Sequence, residues 1–209
     1  TSVRGFLQML KTKEDCRAYH EYYDLMIEEL DRANIIISNY LNMAKNKPLE
    51  LVLGNLNDII ESLYPMIQAD ARYKDKQVKI ELNEIPMVYI DEKEIRQLIL
   101  NMSRNGLEAM KPGGVLVIGT RREDGDAMLF IKDEGPGIDP QVLKRLGTPF
   151  LTTKEDGTGL GLAVCYGIAS HHNAQITVDT GPQGTTFWVR FRGSDRVNQE
   201  GPNYAEDNK

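Results

Sequence analysis

Cysteine and tryptophan are scarce in this chain, with two of the first and one of the second among 209 residues. Cys16 and Cys165 are too few and too far apart in sequence to staple a disulfide framework. The core must then come from apolar burial, and a reducing compartment is expected. Positive charge is in deficit as well. Lys and Arg number 25 against 31 Asp and Glu, a net charge of -6, which leaves no surplus for a broad nucleic-acid footprint. No apolar run approaches the roughly 20 residues of a membrane helix, and no signal peptide opens the sequence. A cytoplasmic protein is expected, or the cytoplasmic end of something larger. What is present is ordinary for a globular fold: 41% hydrophobic residues, 27% charged, and a length suited to one or two domains.

Residues 1–47 contain one glycine, Gly5, and no proline. From Thr12 to Lys47 the pattern predicts one long helix, opened by the Thr12 hydroxyl with Glu14 and Asp15 in its first turn. Tyr19, Tyr23, Met26, Leu30, Ala33, Ile37, Tyr40 and Ala44 recur at alternating steps of four and three, a heptad seam. Such a stripe needs partner helices, from Ser2–Lys11 and from a second copy of the chain. The alternative is a single helix packed on its own globular domain. Pro48 ends the helix, and Lys45 to Pro48 is expected to be a hinge.

Beyond it the texture is mixed. Strands are expected at Leu49–Leu53, Gln77–Leu82, Val88–Ile90, Val115–Thr120, Ala127–Asp133, Gln175–Thr180 and Thr185–Arg192. Helices are expected at Asn55–Lys74, with Pro65 as the place of a kink, from Asp91 to Met110, and at Leu160–His172. A loop-rich stretch runs from Glu134 to Gly159, and residues 194–209 read as a disordered polar tail. Mostly hairpin-connected strands with helices favour an α+β two-layer sandwich over a doubly wound parallel sheet.

Four segments of residues 48–193, and a cover between the second and third, carry chemistry. Asn101 and Asn105 lie four apart on one helix face, and asparagine is a poor helix former. An amide oxygen is a hard ligand that can hold Mg²⁺ while water and phosphate oxygens fill the other positions. Asp133-Glu-Gly135-Pro-Gly137-Ile138 follows a strand. An acid there can accept from an exocyclic amine such as adenine N6, and the glycines let the backbone approach a flat base. Gly157-Thr158-Gly159-Leu160-Gly161-Leu162 opens a helix, whose N-terminus favours anions. No Walker A lysine follows the last glycine, and the chain order is wrong for a Rossmann unit. Pro149-Phe150-Leu151-Thr152-Thr153-Lys154 is expected to be a mobile cover, with Phe150 burying part of it and Lys154 meeting a phosphate as a point charge. Gly184-Thr185-Thr186-Phe187 begins the last strand, and Thr185 is expected to place a hydroxyl near the phosphates.

In order and spacing these segments resemble the N, G1, F, G2 and G3 boxes of sensor histidine kinases, members of the wider Bergerat-fold ATPases. The opening Thr1-Ser-Val-Arg-Gly-Phe-Leu-Gln8 resembles the helix just after the family's phosphoacceptor box, above all in sporulation-type kinases of Gram-positive bacteria. The resemblance implies a dimerisation and phosphotransfer region in residues 1–47 and a catalytic ATP-binding domain in residues 48–193. It implies ATP and Mg²⁺ as cofactors, with Asn105 on the metal and Asp133 on adenine. Gly135, Gly137 and Ile138 would shape the base pocket. Asn101, Phe150, Thr153, Lys154, Gly157, Thr158, Gly159, Leu160, Gly161, Leu162 and Thr185 would complete the nucleotide site, with Asn105 and Lys154 catalytic. A homodimer, a response-regulator receiver domain and an inhibitor protein docking on the helical dimer are the implied partners. The implied activity is transfer of the ATP γ-phosphoryl to a histidine and on to a regulator aspartate, in the cytoplasmic part of a sensor.

Three departures stand out. None of the three histidines matches the family's acceptor, which is expected upstream of Thr1; His20 leads into Glu21-Tyr22-Tyr23, while His171 and His172 end a helix. Asn173 and Ala174 replace glycines after them. Gly106 stands where alanine is usual, a change expected to matter little. Gyrase-like and chaperone-like members hydrolyse ATP with a glutamate one turn before the metal asparagine. Asn101 occupies that position and cannot accept a proton at neutral pH. A hydrolysing ATPase is therefore the second reading, and a non-catalytic nucleotide-binding dimer scaffold the third.

Overall fold

A computed structural model describes residues 2–44, 49–154 and 157–196, without the side chains of residues 35, 36 and 38–44. The expected hinge at Lys45 to Pro48 lies outside these described residues. The chain forms two compact units, Thr1–Asn46 and Lys47–Lys209.

The first unit is a helical hairpin. Helix α1 (Ser2–Lys11) packs against α2 (His20–Ala44), with a 3₁₀ helix at Glu14–Tyr19 between them. This corrects the single helix expected from Thr12. The Thr12 hydroxyl donates to the carbonyl of Met9 at 2.7 Å, so it completes the end of α1 and caps nothing that follows. Arg4 forks onto Asp31, with Nε to Oδ1 at 2.8 Å and Nη2 to Oδ2 at 3.2 Å, and Lys11 pairs with Asp24. The heptad seam divides. Tyr23 and Leu30 are half-buried, whereas Tyr19, Met26 and Ile37 are 56%, 50% and 55% exposed.

The second unit is the α+β sandwich expected. A five-stranded sheet runs in the order β2 (Gln77–Glu81), β4 (Val115–Glu123), β5 (Asp126–Asp133), β7 (Gly184–Phe191) and β6 (Gln175–Gly181). All neighbours are antiparallel except β2 and β4, which run parallel. A separate ribbon pairs β1 (Val52–Gly54) with β3 (Val88–Ile90). Helices α3 (Leu56–Tyr73), α4 (Glu92–Ala109) and α6 (Gly161–His171) cover one face of the sheet, and a short α5 (Pro140–Leu143) sits in the loop-rich stretch.

The helices follow their apolar rows. Leu56, Ile59, Ile60, Leu63, Ile67 and Ala71 line the buried side of α3, which continues through Pro65. Asn55 caps it by accepting from Asn57 N at 2.9 Å. Asp91 caps α4 from Lys93 N at 3.0 Å and Glu94 N at 3.3 Å. On β7 the buried Thr185, Phe187, Val189 and Phe191 alternate with Thr186, Trp188 and Arg190 on the other face. There the single tryptophan lies under the Arg121 guanidinium, 4.1 Å from its ring centre, and 5.1 Å from Phe130.

The C-terminal end corrects one expectation. Ser194 is buried and its N–H donates to Met87 O at 2.9 Å, while Arg196 Nη1 reaches Asp126 Oδ2 at 3.3 Å. The ordered unit thus extends through residue 196, and the remainder of the expected tail lies outside the described residues. Among the described residues no helix is long and apolar enough to cross a membrane.

Candidate functional site

Helix α4 supplies the first part of the site. Asn101, Asn105 and Glu108 follow at steps of four and three and share one face. Asn101 Nδ2 donates to Gly161 O at 3.4 Å, which ties α4 to the first turn of α6. Asn105 is half-buried, and its amide bonds to no described residue. A Cβ on Gly161 would lie 3.8 Å from Asn105 Nδ2 and 4.0 Å from Oδ1, so the free amide stands beside the start of α6. That start carries no side-chain cap, because Leu160 occupies the cap position and offers no acceptor. The first-turn N–H groups have no side-chain acceptor among the described residues.

The end of β5 supplies the second part. Asp133 is buried to 4% exposure, and its Oδ1 accepts from Gly135 N at 2.8 Å. Burial raises its carboxyl above the usual carboxylate range, against the pull of the Gly135 and Thr185 backbone N–H groups. Gly106 lets α4 close on this strand. A Cβ there would come 2.6 Å from Leu116 Cδ1 and 3.3 Å from Asp133 Cβ, so the glycine expected to matter little holds a tight contact. A Cβ on Gly135 would stand 2.7 Å from Asp133 Oδ1.

The turn after Asp133 is fastened to the β6–β7 hairpin. Gly137, at φ 84°, presses on the carbonyl of Gly181, where a Cβ has no room. Ile138 N donates to Thr180 Oγ1 at 2.9 Å, and that hydroxyl lies 3.0 Å from Thr185 Oγ1. Thr185 stands opposite Asp133 in the ladder. Register thus places the Thr185 hydroxyl, expected near the phosphates, beside Asp133.

The loop before α6 supplies the third part. Thr152 Oγ1 accepts from Lys154 N at 3.1 Å, and Gly157 N donates to Lys154 O at 3.2 Å. Thr158 Oγ1 accepts from Leu160 N at 3.4 Å, Leu160 is fully buried, and Leu162 packs on the core. Gly159, at φ 66°, packs on the backbone of Phe150. Thr153 is exposed. Phe150 departs from expectation: it is 59% exposed with φ 65°, so it lies largely at the surface. Lys154, expected to meet a phosphate, donates from its ammonium to Glu108 Oε2 at 2.5 Å. Burial pushes the Glu108 carboxyl up, yet Lys154 and then Arg104, at 3.0 Å, outweigh this and hold it below the usual range.

Sequence reading missed Glu108 and Thr180. Glu108 carried a signal, its place one turn past Asn105; Thr180 carried none, since only the hairpin register brings it to Ile138.

Residues 90–194 match the family described as histidine kinase-, DNA gyrase B- and HSP90-like ATPases. The chain belongs to this family. Sporulation kinase C of Bacillus subtilis (strain 168) is 33% identical over 192 residues, covering 90% of this chain and 44% of the relative. Sporulation kinase E of the same organism is 34% identical over 207 residues, covering 96% and 28%. The chain thus spans less than half the length of these two kinases. Among solved structures, the catalytic domain of histidine kinase ThkA matches at TM-score 0.63 and 27% identity, covering 69% of this chain and 96% of that one. The complex of ThkA with response regulator protein TrrA matches at 0.73 and 25%, covering 92% and 57%. Full-length ShkA in complex with AMPPNP, at 0.75 and 22% identity over 90% of this chain and 41% of that one, shares the fold. The family's ATPase domain covers the site residues, from the start of α4 through β7.

Proposed function

We propose that this chain is the catalytic core of a protein-histidine kinase, which passes the γ-phosphoryl of ATP to a histidine and from there to a response-regulator aspartate. The observation that carries the reading is the free Asn105 amide beside the uncapped start of α6, with the buried Asp133 acceptor on the neighbouring strand. The names of the sporulation kinases support it, as does the ThkA–TrrA complex.

In this reading Asp133 accepts from the adenine amine, and Gly135, Gly137 and Ile138 wall the base. The N–H groups of Gly161 and Leu162 face the phosphates. The residues present fit Mg²⁺, because Asn105 offers a hard oxygen with no partner among the described residues. Among the described residues no group of three His, Cys, Asp or Glu side chains could hold a metal alone, so the ion would arrive with the nucleotide. Its chemistry would be to neutralise charge on the phosphate oxygens. The imidazole nitrogen of the acceptor forms the new P–N bond as the bond to the β,γ-bridging oxygen breaks and ADP leaves. Positioning and charge neutralisation provide most of such catalysis. Asn101 occupies the place of the hydrolytic glutamate and is engaged with Gly161, which favours transfer to protein over transfer to water.

None of the three histidines here suits the acceptor role. His20 Nε2 is shielded from solvent without a partner among the described residues, the His172 side chain is fully buried, and His171 Nδ1 lies 3.2 Å from Glu94. We assign residues 1–47 to dimerisation and residues 48–193 to catalysis, in a cytoplasmic setting where ATP is available. Val3, Phe6 and Met9 on α1 and Tyr22, Leu25 and Met26 on α2 are exposed apolar residues of the kind a second helical hairpin would cover. An inhibitor protein on this hairpin is carried by the resemblance alone.

The test incubates the chain with γ-labelled ATP, Mg²⁺ and an acceptor-bearing helix fragment. Acid-labile, base-stable label on the fragment is expected. Release of phosphate without labelled protein would favour the hydrolysing ATPase.

A further inference from the structure

Among the described residues, one charged contact joins the glycine-rich loop to α4. Lys154 crosses from the loop to Glu108 Oε2 at 2.5 Å, and Arg104 Nε holds the Oε1 of the same carboxylate at 3.0 Å. Both ends are braced. The backbone of Lys154 is fixed by Thr152 Oγ1 on its N–H and by Gly157 N on its carbonyl. Glu108 is oriented by Arg104 one turn earlier on the same helix. The cations around it keep it ionised.

Position gives the contact its consequence. Glu108 lies three residues past Asn105, so its carboxylate shares the face on which the free amide stands. A bare carboxylate there would repel a polyphosphate. Paired with Lys154 it is neutralised, and the loop that leads into Gly159 and Gly161 is drawn towards Asn105.

We propose that Glu108 is a positioning residue, which straps the glycine-rich loop over the Asn105 face through Lys154, and that Lys154 acts from this carboxylate and not as a phosphate ligand. The proposal rests on the nucleotide reading of the same site. It separates two roles for one lysine by the sign of a single substitution.

The test uses the full chain, with melting temperature as the control for folding. Trypsin must take the Lys154 ammonium into its own pocket, so in ligand-free protein Glu108→Gln should speed release of the fragment ending at Lys154. Equal rates in wild type and variant would overturn the strap. In calorimetry with Mg²⁺ and a non-hydrolysable ATP analogue, Glu108→Gln and Lys154→Met should each weaken binding by up to about five-fold, the most an exposed ion pair contributes. The double variant should bind no worse than either single one. The reversed pair, Glu108→Lys with Lys154→Glu, should return to within about two-fold of wild type. A phosphate-ligand lysine gives the opposite pattern: Glu108→Gln binds as well or better, Lys154→Met binds worse, and the reversed pair does not recover. If wild type fails to bind nucleotide, the proposed function falls, and the trypsin comparison alone decides the strap.

Discussion

Asn101 Nδ2 donates to the carbonyl of Gly161 across the gap between two helices, while Asn105, one turn later on the same face, bonds to no described residue. Two identical side chains thus have different tasks. The first holds the α6 start against α4, and the second has no partner among the described residues.

Asn105→Ala and Asn105→Asp should therefore leave the fold intact, since no hydrogen bond to a described residue is lost. Thermal melts are expected to stay within ~1 kcal/mol of wild type. Mg²⁺-dependent nucleotide binding should fall at least ten-fold by calorimetry. Unchanged phosphoryl transfer in either variant would remove the assignment.

Asp133→Asn should weaken adenine-nucleotide binding by roughly 1.5–3 kcal/mol, the worth of a hydrogen bond to a charged acceptor. Its effect on the ligand-free protein has the opposite sign. Burial raises the folded-state pKa of Asp133, so the ionised carboxylate costs stability at neutral pH. That cost disappears as pH falls through the raised value towards the ordinary ~3.9. The advantage of the variant in urea midpoint should be largest near neutrality and shrink on acidification.

Asp126 works the other way. Burial pushes its carboxyl up, but Arg190 Nε at 2.7 Å, Gly193 N at 3.2 Å and Arg196 together hold it below the usual range. Its contribution is present above ~pH 4 and is lost as pH falls through the depressed value. Asp126→Asn should cost roughly 2 kcal/mol at neutral pH, less than a wholly buried pair because the Arg190 side chain is 35% exposed. The gap between wild type and variant should close in acid, as read from urea midpoints between pH 7 and pH 3.

The two thiols should separate cleanly. Cys165 is fully buried, with Sγ 3.8 Å from Leu98 O, and burial pushes its pKa up to about 12 against a weaker pull from the Asn101 amide. Cys16 is only partly buried. At pH 8 a disulfide reagent should label Cys16 promptly and Cys165 more than ~1,000-fold slower, until denaturant is added. Two fast thiols in native protein would contradict the packing of α6 on α4.

Much of this architecture is legible in the sequence because apolar period and caps agree. Val88–Ile90 emerges with the expected bounds, and Asp91 caps α4 as read. The failures have local causes. Thr12 looks like a helix start, but its hydroxyl is taken by a carbonyl of the preceding helix. The parallel pairing of β2 with β4 leaves no mark in strands whose neighbours are joined by hairpins. At the site, types and spacing show which residues belong together, and not which partners they choose. Lys154 looks like a free cation until a carboxylate 46 residues earlier is folded against it.

Trp188 gives the molecule a built-in reporter with a known blind side. Its indole lies on the sheet face opposite the helices, between Arg121 and Phe130, with Nε1 donating to Asp179 at 2.7 Å. Asn105 and the start of α6 belong to the helical layer. Intrinsic fluorescence should therefore follow loss of the sheet in denaturant and stay nearly silent when nucleotide is titrated. A quench on adding nucleotide would signal a rearrangement transmitted through the whole thickness of the sandwich.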